Sequence, residues 1–154
     1  MTLKKVVNRR WCLMNKTEKA PDRILIGEGD REIYDRLKKT SFFDGKDNKD
    51  IFLMALAWGF HNGKSSPITN KETFFLLNTL EDYERSIIHA IAVYKKDDVE
   101  VLLNKKEVYN IAQEYGSAGV RLLDEMISDK EEADFVKRLE LMLIDEFNNL
   151  KDFK

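Results

Sequence analysis

Gly63, Lys64 and Ser65 partly match the end of a phosphate-binding loop, the most suggestive chemical motif in the sequence. In such a loop a glycine-rich turn between a strand and a helix offers backbone N–H groups to phosphate. Counting back to Gly59 gives three intervening residues where the motif needs four, and Pro67 follows where a helix should continue. Both features argue against nucleotide binding at this loop.

Other residues that could support catalysis also lack the spacing it needs. The segment 27–32 has the start of a dinucleotide-binding turn, but Glu32 occupies the third glycine position and acidic neighbours would repel a pyrophosphate. Nuclease-like acid-x-lysine pairs lie within 44–49, which reads as a turn-rich loop. His61 and His89 have no partner at metal-ligand spacing. The sequence therefore predicts no catalytic, cofactor-binding or metal-binding residue.

A surplus of basic residues at the N-terminus is the chemical signal that remains. Residues 1–23 carry seven basic and two acidic side chains, although the whole chain has 26 basic and 28 acidic ones. Lysine and arginine contact phosphates and tryptophan stacks on bases, so the segment could bind nucleic acid. The alternative interpretation is a solvated basic tail without such contacts. The residues predicted to contact nucleic acid are Lys4, Lys5, Arg9, Arg10, Trp11, Lys16, Lys19 and Arg23.

The central element of the predicted fold is the run Ile51–Phe60, ten consecutive apolar or small residues. A membrane span needs about 20 apolar residues, and a buried strand rarely exceeds about eight. Asp47 or Asn48 can cap a helix here, and Pro67 prevents its continuation. A helix that is apolar on every side belongs inside a core, so the other helices should pack around it.

Amphipathic helices are expected over about 31–39, 80–96, 105–127 and 130–149, with a short strand over 23–26. Segment 73–77 fits either a strand or an extended strap. Gly116 and Gly119 predict a bend in their helix or the close approach of another helix. The predicted apolar stripes are Leu80, Tyr83, Ile87, Ile91 and Tyr94 in one helix, and Val136, Leu139, Leu143, Phe147 and Leu150 in the last, where Phe135 and Met142 widen the stripe. Such faces could also be buried against a second copy, so a homo-oligomer is left open.

These elements predict a mainly α fold, a single-domain bundle of five or six helices around a buried central helix with at most a small β element. The 154 residues divide into a basic arm, 1–23, and one domain, 24–154. The single cysteine, Cys12, excludes an internal disulfide, and no secretory signal or membrane segment is apparent. We expect a cytoplasmic protein.

One stretch of the chain resembles a known family. The matching residues are Lys49-Asp50-Ile51-Phe52, Ala55, Ala57, Gly59-Phe60, Asn62-Gly63-Lys64 and Pro67-Ile68, with a looser match at Glu81-Asp82-Tyr83-Glu84. They resemble the accessory proteins encoded beside dnd (DNA phosphorothioation) genes. The resemblance implies association with a DNA modification or defence system and implies no catalytic residues.

The predicted function is therefore a non-enzymatic accessory protein without a cofactor that contacts DNA or protein partners in such a system. The alternative is a small metal-dependent hydrolase whose carboxylates converge only in the folded chain. A cleft that holds three or more acidic or histidine side chains would distinguish the alternative.

Overall fold

The computed structural model describes residues 19–128 and 132–152, which form five α-helices and one two-stranded sheet. The elements in chain order are β1 (Arg23–Gly27), α1 (Glu28–Lys38), α2 (Asn48–His61), β2 (Lys71–Leu76), α3 (Asp82–Lys96), α4 (Lys105–Ser128) and α5 (Glu132–Lys151). Short 3₁₀ helices at Leu77–Thr79 and Val99–Leu103 precede α3 and α4. The mainly α fold class is confirmed.

The central helix α2 begins as its sequence predicts. The Asp47 side chain accepts a hydrogen bond from the N–H of Asp50, whose own carboxylate accepts one from the N–H of Asp47. This reciprocal arrangement satisfies backbone donors that a helix start leaves unpaired. Ile51, Phe52 and Leu56 are completely buried, so the apolar run forms the middle of the core.

Helix α4 crosses α2 at unusually close range because both helices have glycine at the crossing. A Cβ atom added to Gly119 would lie 1.7 Å from the carbonyl oxygen of Ala55, and one added to Gly59 would lie 2.1 Å from that of Tyr115. At Gly116 the added atom would meet the Phe52 ring at 2.8 Å. The predicted close approach of another helix is confirmed.

The sheet is a two-stranded antiparallel ribbon in which Ile24 pairs with Phe75 and Ile26 with Glu72, with an irregularity after Ile24. The N–H of Leu25 donates to Oε1 of the buried Gln113, at 2.7 Å, and this bond fastens β1 to α4. The strand predicted over 23–26 is confirmed, and the undecided segment is strand β2.

The predicted inward face of α3 is partly right, since Leu80 and Ile91 are buried, but its other three members face outward. Tyr83, Ile87 and Tyr94 are 63%, 45% and 74% exposed, while Ile88 and Ala92 are completely buried. The two stripes differ by one residue, a rotation of about 100°. Periodicity alone does not choose between two apolar stripes, and here the packing of α3 against α4 decides.

In the last helix the predicted edge of the apolar stripe, and not its centre, faces the core. Phe135 is completely buried and lies edge-on to Phe42, with ring centres 5.0 Å apart. Leu139 and Met142 are partly buried behind it. The remaining members of the predicted stripe, Val136, Leu143, Phe147 and Leu150, are exposed. Only the first half of α5 is therefore held against the core.

Candidate nucleic-acid interface

A basic groove lies where β1, the start of β2 and the first turns of α4 meet. Its volume is about 770 Å³. The charged side chains that line it are Lys19, Asp22, Arg23, Lys71, Lys106 and Glu107. Pro21, Leu25 and Tyr109 contribute apolar surface, and Asn104, Asn110 and Gln113 contribute amides. We call this surface the basic groove.

The beginning of α4 gives the groove a second source of positive potential. The side chain of Asn104 accepts a hydrogen bond from the N–H of Glu107, at 3.2 Å, and so caps the helix. The N-terminus of a helix carries a partial positive charge and usually has acidic residues in its first turn. Glu107 is in that turn, but the two residues before it are Lys105 and Lys106. Their charges disfavour the helix end, so an anion bound there would relieve the repulsion.

Two of the groove's charged residues form a local ion pair. Arg23 Nε and Nη2 donate to the Asp22 carboxylate at 2.7 and 3.0 Å. These hydrogen bonds lower the pKa of Asp22 to about 2 and raise the pKa of Arg23. Asp22 is therefore ionised at neutral pH and offsets the charge of Arg23.

Lys19 and Lys71 in the basic groove are less compensated than Arg23. Glu107, the second acidic residue of the groove, pairs with Lys96 outside it. Within the part of the chain that the structure describes, Lys19, Lys71 and Lys105 form no ion pair. The groove consequently has a surplus of positive charge.

A smaller groove of about 360 Å³ continues the first one past Pro21, Asp22 and Tyr109, and adds Arg85 and Lys105. Arg85 Nη2 donates to the carbonyl oxygens of Leu77 and Leu80 at 3.0 and 3.1 Å. The two grooves together are lined by six basic and two acidic side chains.

The structure brings together two of the eight residues predicted to contact nucleic acid, since Lys19 and Arg23 both line the basic groove. The other six lie outside the described residues: Lys4, Lys5, Arg9, Arg10, Trp11 and Lys16. The division into an arm over 1–23 and a domain over 24–154 therefore stays a prediction, with Arg23 opening strand β1.

Sequence reasoning missed Lys71, Arg85, Lys105 and Lys106. The adjacent pair Lys105-Lys106 directly after a capping asparagine was a usable signal, because basic residues are unfavourable in a first turn. Lys71 and Arg85 gave no signal, since they reach the groove only through the sheet and the packing of α3.

A second polar cluster lies between α1 and α4. Asp30, 1% exposed, accepts hydrogen bonds from Ser117 Oγ at 2.6 Å and Arg121 Nε at 3.0 Å. Nη1 of Arg121 also donates to Ser66 Oγ at 3.5 Å. Because both carboxylate oxygens accept a hydrogen bond, this cluster is a structural cross-link between the two helices.

Within residues 19–128 and 132–152, no group of three or more His, Cys, Asp or Glu side chains is placed to hold a metal ion. The metal-dependent hydrolase alternative requires such a group, so the described residues give it no support. None of the helices in this part of the chain combines the length and apolar character that crossing a bilayer requires.

The family model of DNA sulphur modification system-associated protein 4 matches residues 23–153. The chain belongs to this family. Membership confirms the resemblance to dnd-associated accessory proteins and associates the chain with a DNA sulphur modification system. No curated protein and no solved structure is significantly similar to it.

The residues that carried the resemblance to the family have structural roles in this chain. Lys49 on α2 and Glu84 on α3, from the two separate matching segments, form an ion pair at 3.2 Å. The Glu84 carboxylate also accepts from the N–H of Glu81 at 2.8 Å, and Gly59 permits the close crossing of α2 and α4. In this chain Lys49, Gly59 and Glu84 hold α2, α3 and α4 together and do not line the basic groove.

Proposed function

We propose that this chain is a non-enzymatic accessory protein of a DNA sulphur modification system that contacts DNA phosphates through the basic groove. The observation that carries the proposal is the convergence of six basic side chains around the start of α4. The net charge of the whole chain is only −2, so this surplus is local rather than general.

Two physical features support phosphate as the ligand. Lysine and arginine neutralise phosphates and release condensed counterions, which supplies most of the affinity of a sequence-independent contact. The helix N-terminus adds backbone N–H groups that point towards an anion. The groove contains both, and residue 18 of the predicted arm is joined directly to Lys19 at its edge.

The test is binding of the full-length chain to duplex DNA at several salt concentrations. We expect Lys71→Glu combined with Lys105→Glu to weaken binding at least about tenfold and to reduce the salt slope by about two, roughly one for each lost phosphate contact. Deleting residues 1–18 should reduce affinity and slope further. The same series on a duplex with phosphorothioate linkages tests whether the contact depends on the modification.

The matched control is Lys46→Glu combined with Lys64→Glu, which makes the same change in net charge at two exposed lysines outside both grooves. A similar loss in the control would mean that net charge, not the groove, determines affinity. Unchanged binding by the Lys71 and Lys105 variant, or no binding by the wild-type chain, would refute the proposal.

A further inference from the structure

Helix α5 has more exposed large apolar side chains than any other helix of the described chain, and most of them lie on its outer face. Five of its large apolar side chains are between 44 and 67% exposed: Val136, Leu143, Ile144, Phe147 and Leu150. From residue 143 to residue 151 every side chain is exposed, although the segment is helical. Helices this short are marginal in water without tertiary packing. The second half of α5 therefore lacks the contacts that would stabilise it.

The spacing on this face indicates what kind of surface covers it. Positions 136, 140, 143, 147 and 150 alternate steps of four and three residues, and only Glu140 among them is polar. Such a heptad pattern forms the seam between two packed helices. We call these five positions the outer seam. It is distinct from the inner side of α5, where Phe135 packs against Phe42.

We infer that the outer seam pairs with the outer seam of a second copy of this chain and makes a homodimer. Between residues 133 and 151, the charged residues on and beside the seam are Lys137, Glu140, Glu146 and Lys151, two of each sign. Two copies of this surface therefore do not repel each other. A polyanion such as DNA gains no net attraction from it, so this inference is independent of the proposed DNA contact.

The charges on and beside the seam act differently on the two possible orientations of the pair. In a parallel, in-register pair Glu140 would lie beside Glu140 of the second copy, and two carboxylates at a buried seam repel. In an antiparallel pair that overlaps along all 20 residues of α5, Glu140 lies opposite Leu143 of the second copy and Val136 lies opposite Phe147. The antiparallel pair therefore avoids this repulsion, whereas Glu146 and Lys151, which flank the seam five residues apart, would form ion pairs across a parallel pair. The proposal commits to the dimer and not to its orientation.

The size of the dimer interface sets the dissociation constant that we expect. An interface of standard size uses roughly 20–30 residues from each side, and one face of a 20-residue helix is smaller than that. We therefore expect dissociation in roughly the micromolar range.

The experiment is light scattering on the full-length chain over a concentration series that spans this range. The wild-type mass should rise from that of one chain, 18.1 kDa, towards twice that value. Leu143→Glu should weaken the dimer at least about tenfold, as loss of a central apolar contact does. Leu141→Glu is the matched control because Leu141, 54% exposed, is on the same helix but outside the seam.

Each outcome decides the question. A wild-type chain that stays monomeric at the highest concentration overturns the proposal and leaves a different helical protein as the occupant of the seam. A dimer that survives Leu143→Glu, or that disappears when residues 1–18 are deleted, also overturns it. Should Leu143→Glu lose helicity by circular dichroism, Phe147→Ser replaces it, and the wild-type mass still stands as the first test.

Discussion

The substitution Gly119→Ala tests the close crossing of α2 and α4 most directly. Alanine adds one Cβ atom, which would lie 1.7 Å from the carbonyl oxygen of Ala55 and 2.7 Å from the amide nitrogen of Gly59. Both neighbours are backbone atoms, so no side-chain rotation can relieve the overlap. The two helices must move apart along the length of their contact.

The sign of the effect follows from two opposing contributions. Replacing glycine by alanine inside a helix normally stabilises by about 1 kcal/mol. Overpacking a well-filled core costs typically about 1–3 kcal/mol and occasionally more, and for an added atom only 1.7 Å from a backbone oxygen we expect a cost of about 3–5 kcal/mol. We therefore expect Gly119→Ala to lower the free energy of unfolding by about 2–4 kcal/mol, which corresponds to roughly 5–15 °C in Tm for a chain of this size.

The assay is urea unfolding followed by far-UV circular dichroism. The matched control is Gly29→Ala in α1, where an added Cβ would meet nothing within 4 Å; this change should be neutral or stabilise by up to about 1 kcal/mol. Equal effects at the two glycines would show that helix propensity alone acts at both. A Gly119→Ala chain as stable as the wild type would refute the close crossing.

Two further predictions concern buried charges. Removing the guanidinium with Arg121→Met leaves the buried Asp30 carboxylate with only Ser117, so unfolding should become easier by about 2–3 kcal/mol. Arg36→Met, which breaks the more exposed pair with Asp124, should cost less than about 1 kcal/mol; equal urea midpoints for the two variants would contradict this difference. Burial raises the pKa of Glu84, but the N–H of Glu81 and the ammonium of Lys49 lower it more, so the net pKa lies below 4.5. Because the pKa of Glu84 is lower in the folded state, the ionised carboxylate stabilises the fold above pH 4.5. This stabilisation is lost as the pH falls through the folded-state pKa of Glu84. The urea midpoint of the wild type should therefore decrease more steeply below pH 4.5 than that of Glu84→Gln, and parallel curves would show that this carboxylate is not responsible.

Some features of the fold were predictable because they depend on neighbouring residues alone. The run Ile51–Phe60 with its acidic cap leaves a buried helix as the only suitable structure, and α2 is that helix. Gly116 and Gly119 predicted a bend or the close approach of another helix, because glycine inside a helix is otherwise unfavourable, and the structure shows the close approach. The surplus of basic residues in 1–23 was also apparent from the sequence, and two of these residues, Lys19 and Arg23, line the basic groove.

The sequence by itself determined which segments become helices, that one of them is buried, and that positive charge collects before residue 24. Only the tertiary structure decided which side of α3 and α5 turns inward, because each has two apolar stripes and packing partners select one. Tertiary structure likewise brought Lys71 into the basic groove beside Lys19, and Arg85 and Lys105 into the smaller groove that continues it. The periodicity of a segment determines which apolar faces it can bury. The geometry of the neighbouring elements determines which face it does bury and which apolar residues stay exposed for a binding partner.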